Sequence, residues 1–277
     1  MDTQLPRAET GDTAEYKDVL RTTFDTYARG WHQRMANHVY AMRYRAVERV
    51  IAPLQVSSVI DVGCGTGDYA QLFDPSHVKY LGVDISERMV EECKRLFPRH
   101  AFAVADGDAI DAPDASVDLI LSIGVLEYLP DPVSHLRELA RVTKPGGSIV
   151  GAVQNGSNRS RRLDRPIRAL LDSGPGKAVR RVLGRPVDAK KVSRDGSVKD
   201  SRIVHLKTTA DDMRAMAEVA GVKLVEVMHV SLYVVPELIP GMRMVNNAIS
   251  RGIGVKSGWE WFRRPTGLVL IVRFVKP

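Results

Sequence analysis

The stretch from Val59 to Gly67 reads Val-Ile-Asp-Val-Gly-Cys-Gly-Thr-Gly, an apolar run that ends in three glycines at alternate positions. The β-branched and aliphatic Val59, Ile60 and Val62 suit a buried strand. Gly63, Gly65 and Gly67 leave out every second side chain, so the backbone can turn sharply and let a ligand lie against it, with Cys64 inside the turn. The spacing predicts that Asp68–Phe73 begins a helix whose free N–H groups face that ligand.

Spacing decides among the ligands that glycine turns hold. The dinucleotide pattern G-x-G-x-x-G counted from Gly63 meets Asp68, and no Gly-Lys-Ser/Thr of a phosphate loop follows. Asp61 precedes the first glycine by two residues. A carboxylate there repels a pyrophosphate and favours a ligand carrying an ammonium and a sulfonium. Asp84 closes a second apolar run, Lys79–Asp84, at the distance from Gly63 where an acid can accept both hydroxyls of a ribose. Asp108 and Ala109 follow a third, Ala101–Ala105, where a carboxylate and an N–H can meet the edge of an adenine.

These residues resemble a class I S-adenosylmethionine-dependent methyltransferase. Further stretches match that family in order: Ser116–Ser122 as its fourth strand, Val125–Leu129 as the turn after it, and Leu136–Gly147 (LRELARVTKPGG) as the helix and turn before its fifth strand. The match spans residues 20–155 well and the last third loosely. The resemblance implies a Rossmann-like, doubly wound α/β fold with a mostly parallel seven-stranded sheet, an antiparallel edge strand and helical cap insertions. It implies S-adenosyl-L-methionine as cofactor, with Gly63, Gly65 and Gly67 at the methionine end beside Cys64, Asp61 near the ammonium, Asp84 on the ribose and Asp108 with Ala109 on the adenine. Ile85 and Ile123 are expected against the ring and the methionine portion. Arg43 stands where similar enzymes place an arginine for the methionine carboxylate, and Tyr27 joins the expected cofactor contacts.

The elements that must position these residues alternate along the chain. Helices are expected at 16–29 and 39–51, then strands at 57–62, 78–83, 101–105, 117–122 and 148–153 with helices at 67–73, 86–97 and 132–143 between them. A helix at 209–220 and strands at 222–230 and 267–275 complete the pattern. Strand–helix alternation of this kind means a parallel sheet covered on both faces, with its ligand at the strands' C-terminal edge. The organisation is residues 1–53 as helices over the cofactor site, 54–155 as the cofactor core, 156–207 as a basic cap, and 208–277 as the rest of the core with a second cap at 232–266.

The chain has 277 residues, 44% of them hydrophobic, enough for a full core. Its net charge of +7 is uneven. Residues 1–155 carry 16 basic and 22 acidic side chains, whereas residues 156–207 alone carry 15 basic and 5 acidic. The apolar spacings Ile167/Leu170/Leu171 and Val179/Val182/Leu183 among those arginines fit a solvated lid, an anionic membrane surface or an acyl carrier protein as partner. Nucleic acid is disfavoured, because no aromatics interleave the basic residues as a stacking platform. Residues 1–15 show no signal peptide, and the two cysteines, Cys64 and Cys93, are expected reduced, so the protein reads as cytoplasmic or peripheral at a membrane. No metal-ligand spacing is present.

The expected reaction is in-line methyl transfer, with oxygen of a small-molecule, natural-product or lipid-like acceptor favoured over nitrogen or carbon. A binding protein that keeps the cofactor fold and docks through its basic segment is the alternative. General-base candidates are His205, Tyr128, Glu127 and His229. Similar quinone-pathway enzymes carry an acid where this chain has Gly124 and a histidine where it has Tyr128. His135 falls on the outer side of its helix and reads as a surface residue, and Lys144–Gly147 as a helix stop and turn.

Overall fold

The computed structural model describes residues 5–6, 12–31, 38–157, 173, 202–232 and 267–277. The described elements run α1 (Thr13–Ala28), α2 (His38–Ile51), β1 (Ser58–Val62), β2 (Lys79–Asp84), α3 (Glu87–Leu96), β3 (Ala101–Val104), β4 (Val117–Ile123), α4 (Pro132–Val142), β5 (Thr143–Gln154), α5 (Ala210–Ala220), β6 (Lys223–Leu232) and β7 (Gly267–Val275). The strands form one seven-stranded sheet in the order β3-β2-β1-β4-β5-β7-β6. β1 pairs in parallel with β2 on one side and β4 on the other, so the chain reverses its direction of winding at the end of β1. That reversal opens a crevice at the C-terminal edge, where ligands of such sheets bind. β7 is the antiparallel member, inserted between β5 and β6.

The central strands are apolar on both faces because helices cover both. Leu119 and Leu121 of β4 pack toward α2 and α3, whereas Ile120 packs toward α4 and α5. The helix ends carry their own stop and start signals. Ser86 accepts from Met89 N to open α3, Asp131 and Pro132 open α4, and Thr209 with Asp212 forms a reciprocal capping box on α5. Gly221, at φ 74°, ends α5 in the left-handed region.

Two expectations are corrected. The segment after the glycine turn is no α-helix: residues 67–73 are turns with one short 3-10 turn at Ala70–Leu72. Gly67 N donates to Cys64 O and Ala70 N to Gly67 O, so successive tight turns consume N–H groups that a helix start would leave free. Lys144–Gly147 lies within β5 rather than ahead of it. The register between β4 and β5 slips between Val117 and Leu119, and Gly146 takes φ +77° there. Both expected caps, 156–207 and 232–266, fall almost wholly outside the described residues. Among those residues, no helix is long and apolar enough to cross a membrane.

Candidate functional site

The strands' C-terminal ends deliver the site. After Val62 the chain crosses the end of β2, where Gly63 N and Cys64 N donate to Val83 O at 2.8 and 3.0 Å. Gly63 and Gly65 have φ of +68° and +56°. A Cβ on Gly63 would lie 2.3 Å from Val125 Cγ2, and one on Gly65 would lie 3.1 Å from Trp31 Nε1. Glycine is required twice over, by backbone sign and by space.

Asp84 ties the loop down. Its Oδ2 accepts from Gly65 N and its Oδ1 from Ser86 N, both at 2.9 Å. Burial pushes its carboxyl up to about 6, against the pull of those N–H groups. One strand away, Asp61 is 1% exposed. Its Oδ2 accepts from Tyr80 Oη at 2.7 Å, while Oδ1 has no hydrogen-bond partner. Burial, reinforced by Asp84 and Asp68, raises Asp61 to about 7.

The resulting cleft encloses about 1150 Å³, part of it open to solvent. Its floor holds Gly63, Cys64, Gly65, Asp84, Ile85, Asp108 and Ile123, and its far wall holds Glu127 and Tyr128 from the turn after β4. The roof is α1 and the turn at its C-terminal end, through Lys17, Leu20, Phe24 and Trp31. Aromatic edges knit that roof to the far wall, with Phe24 5.9 Å from Trp31 and 5.4 Å from Tyr128. Ser86 Oγ donates to Asp25 Oδ1, which anchors α1 to the start of α3.

Arg43 enters the cleft from α2 with its guanidinium 4.5 Å above the Tyr40 ring. Burial works against its charge, but Tyr69, Tyr40 and Glu127 outweigh that and hold it protonated. Its Nε is sealed from solvent and makes no hydrogen bond. A Cβ on Gly124 would sit 3.2 Å from Arg43 Nη1. Gly124 has φ +75°, so any side chain there would be strained as well as close to this guanidinium. Tyr40, Arg43 and Glu127 also border a second, small pocket that is partly open to solvent and floored by β5 and β7.

Several residues singled out in the sequence do not line the cleft. Asp61 lies beneath its floor, and Gly67 packs on Phe97 and Cys93. Ala109 N donates to Asp106 O at 3.1 Å, so it is engaged within its own turn. Tyr27 packs with α1 neighbours around Tyr16, Leu20 and Tyr128. His205 meets the Tyr128 ring edge-on at 5.3 Å, and buried His229 lies in β6 opposite Leu270.

The expectation that His135 is a surface residue is overturned. It is 0% exposed and lines the cleft. The inward face of α4 includes Val133, His135, Leu136 and Leu139, and the imidazole fits there because Ser122 and Asp108 satisfy both ring nitrogens. Lys17, Trp31 and Tyr40 were also missed, since each reaches the cleft only through helix packing.

Residues 60–151 match the family model described as "methyltransferase domain". That segment is a domain of the class I S-adenosylmethionine-dependent methyltransferase family. Among curated relatives of this chain, trans-aconitate 2-methyltransferase of Methylobacterium radiotolerans is 32% identical over 59% of the chain and 63% of its own length. The enzyme of the same name from Azoarcus is 34% identical over 51% and 55%. The chain thus spans less than two thirds of either relative. The magnesium protoporphyrin IX methyltransferase of Synechocystis, solved with bound S-adenosylhomocysteine, shares the fold with a TM-score of 0.61 at 14% identity, over 94% of this chain and 100% of that one. A putative methyltransferase of Haloferax volcanii, solved with the Trm112 activator, also gives 0.61 at 19% identity, over 93% and 97%. The family's cofactor is S-adenosylmethionine.

Proposed function

We propose that this methyltransferase moves the methyl group of S-adenosylmethionine to an oxygen of a small-molecule or lipid-like acceptor. The observation that carries the reading is the Asp84 carboxylate, which accepts from the Gly65 N–H and lines one cleft with Gly63, Arg43 and Glu127. The residues present suit the cofactor. Two left-handed glycines leave backbone exposed, an acid has an oxygen without a partner, and a buried guanidinium nitrogen makes no hydrogen bond.

When bound, the cofactor supplies a methyl group on a sulfonium, activated for in-line displacement. The protein's share is alignment and exclusion of water. Gly63 and Gly65 receive the methionine end and Arg43 its carboxylate, while Asp61, buried beneath the floor, supplies the acid under its ammonium. Asp84 takes the ribose and Asp108 the adenine edge. Leu20, Phe24 and Trp31 cover the cleft against water. Glu127 and Tyr128 face the acceptor side, and His205 stands against the Tyr128 ring. The trans-aconitate enzymes favour a carboxylic acid as acceptor, whose ionised oxygen is nucleophilic without a base.

The test is calorimetry with S-adenosylhomocysteine, followed by transfer of tritiated methyl to panels of carboxylic acids, phenols, lipids and carrier-bound acyl groups. Tight binding with base-labile product supports a carboxyl oxygen. Base-stable product on nitrogen or carbon overturns the oxygen assignment. Binding without turnover on any panel favours the alternative, a cofactor-fold protein that docks through residues 156–207. No binding at all overturns the reading.

A further inference from the structure

We propose that His135 is a positioning residue for the cofactor's purine, holding Asp108 so that the carboxylate presents its free lone pairs to the cleft. This rests on the methyltransferase reading, in which Asp108 meets the adenine edge.

His135 is a strut between a rigid strand and an acidic loop. Its Nε2 lies 3.2 Å from Ser122 Oγ, and Ser122 is fully buried on β4, paired with Val62 and Gly151. Its Nδ1 lies 3.2 Å from Asp108 Oδ1. The partners assign the proton: an ionised carboxylate only accepts, so Nδ1–H donates to it, and Nε2 is left to accept from the Ser122 hydroxyl. Every polar group of the buried ring is then satisfied.

The surroundings are shaped to this ring. Gly107 closes over it, and a Cβ there would lie 3.1 Å from His135 Cε1 and 2.7 Å from Val62 Cγ1. Asp108 N donates to Asp106 Oδ1 at 3.0 Å, fixing the loop, and Lys17 Nζ stands 3.0 Å from Asp108 Oδ2. His135 therefore grips one carboxylate oxygen while the other meets the α1 ammonium at the cleft. Without the strut the carboxylate is held through Lys17, a partly exposed ion pair and so a weak and adaptable contact. Burial raises the Asp108 carboxyl, but His135 and Lys17 together bring it below its ordinary value, so it stays an acceptor.

Asparagine and glutamine separate the two ends of the strut. An asparagine amide can stand where Nδ1 stands and donate to Asp108, whereas a glutamine amide reaches toward Ser122. We would titrate wild type, His135→Asn, His135→Gln and His135→Ala with S-adenosylhomocysteine and with its hypoxanthine counterpart, S-inosylhomocysteine. The expected result is His135→Asn within about threefold of wild type, and roughly tenfold weaker binding of the adenine ligand in the other two, where charged hydrogen bonds are lost. Their preference for adenine over hypoxanthine should shrink in parallel. Equal affinities across all four proteins, or equal losses in Asn and Gln with the base preference intact, would overturn the positioning role. Should Gln and Ala fail to fold, Ser122→Ala loosens the same strut from its anchored end. A reduced adenine preference there supports the inference, and an unchanged one overturns it. Wild type that binds neither ligand removes the methyltransferase reading itself, a result distinct from any variant's.

Discussion

Tyr80 donates its hydroxyl to Asp61 Oδ2 at 2.7 Å beneath the glycine turn, and the other oxygen of that carboxylate has no hydrogen-bond partner. The pair makes an acid that is half satisfied, buried and raised to about 7, with Asp84 raised to about 6 beside it. Both values lie above the ordinary 3.8, so the folded protein holds these protons more tightly than the unfolded chain. Their contribution to stability is present in full below about pH 4, falls as pH rises through 6 and 7, and is flat above.

Ligand affinity should run the other way. A bound ammonium and ribose hydroxyls favour the ionised carboxylates, so binding below pH 7 releases protons. Each linked proton changes affinity by at most about tenfold per pH unit. S-adenosylhomocysteine should bind about tenfold or more weakly at pH 5.5 than at pH 8. Asp61→Asn should remove part of that slope. Calorimetry in buffers of different ionisation enthalpy measures the proton count directly, and an affinity flat from 5.5 to 8 would contradict the placement of both acids.

Asp84→Ala removes an acceptor from two backbone N–H groups as well as from the expected ribose. A hydrogen bond to a charged group contributes about 1.5–3 kcal/mol, so affinity for S-adenosylhomocysteine should fall about 10- to 100-fold. The melting temperature should fall too, because Gly65 N and Ser86 N lose their partner. Affinity within twofold of wild type would show that the carboxylate serves only the loop.

Gly63→Ala meets two separate penalties. The left-handed backbone costs a side-chain-bearing residue about 1–2 kcal/mol. Overpacking against Val125 Cγ2 adds about 1–3 kcal/mol. Val125→Ala in the same background should recover the second part and leave the first. A double-mutant cycle by denaturant unfolding reads this as a coupling of about 1 kcal/mol or more. Strict additivity would mean that the loop, not Val125, moves to make room.

Cys64 and Cys93 lie with sulfurs 3.8 Å apart, and both thiols are buried. The hydrogen bond with Cys93, then burial, raises the Cys64 thiol well above its ordinary value. The thiolate is the reactive form, so Ellman's reagent at pH 8 should label Cys64 slowly in the folded protein and rapidly in guanidinium. Cys64 lines the cleft, so S-adenosylhomocysteine should slow labelling further. Fast native labelling, indifferent to that ligand, would place the sulfur elsewhere.

Much of the scaffold was legible because local patterns carried it. Buried central strands are short, mostly apolar runs such as Val59–Val62 and Leu119–Ile123, set apart from the amphipathic helices by apolar residues on both faces. Helix starts announced themselves through Ser86, Asp131 and Thr209. The helix expected after the glycine turn failed for a reason that spacing does not record: Gly67 turns with φ +78°, and a Cβ there would lie 3.0 Å from Phe97 Cδ2 and 3.2 Å from Cys93 Sγ, partners supplied only by the packing of the α3 region.

The amino-acid sequence alone determined the strand–helix alternation and the acids near its strand ends, since hydrophobic period and glycine spacing are properties of neighbours along the chain. Only the tertiary structure decided which side chains share a cleft. His135 moved from expected surface to sealed interior because Ser122 on β4 and Asp108 on the next loop supply its hydrogen bonds, and neither is near it in sequence. Lys17 reached Asp108 because α1 is pinned across the sheet edge by Asp25 and Ser86. A buried polar group is settled by partners that converge in space, and no local pattern names them in advance.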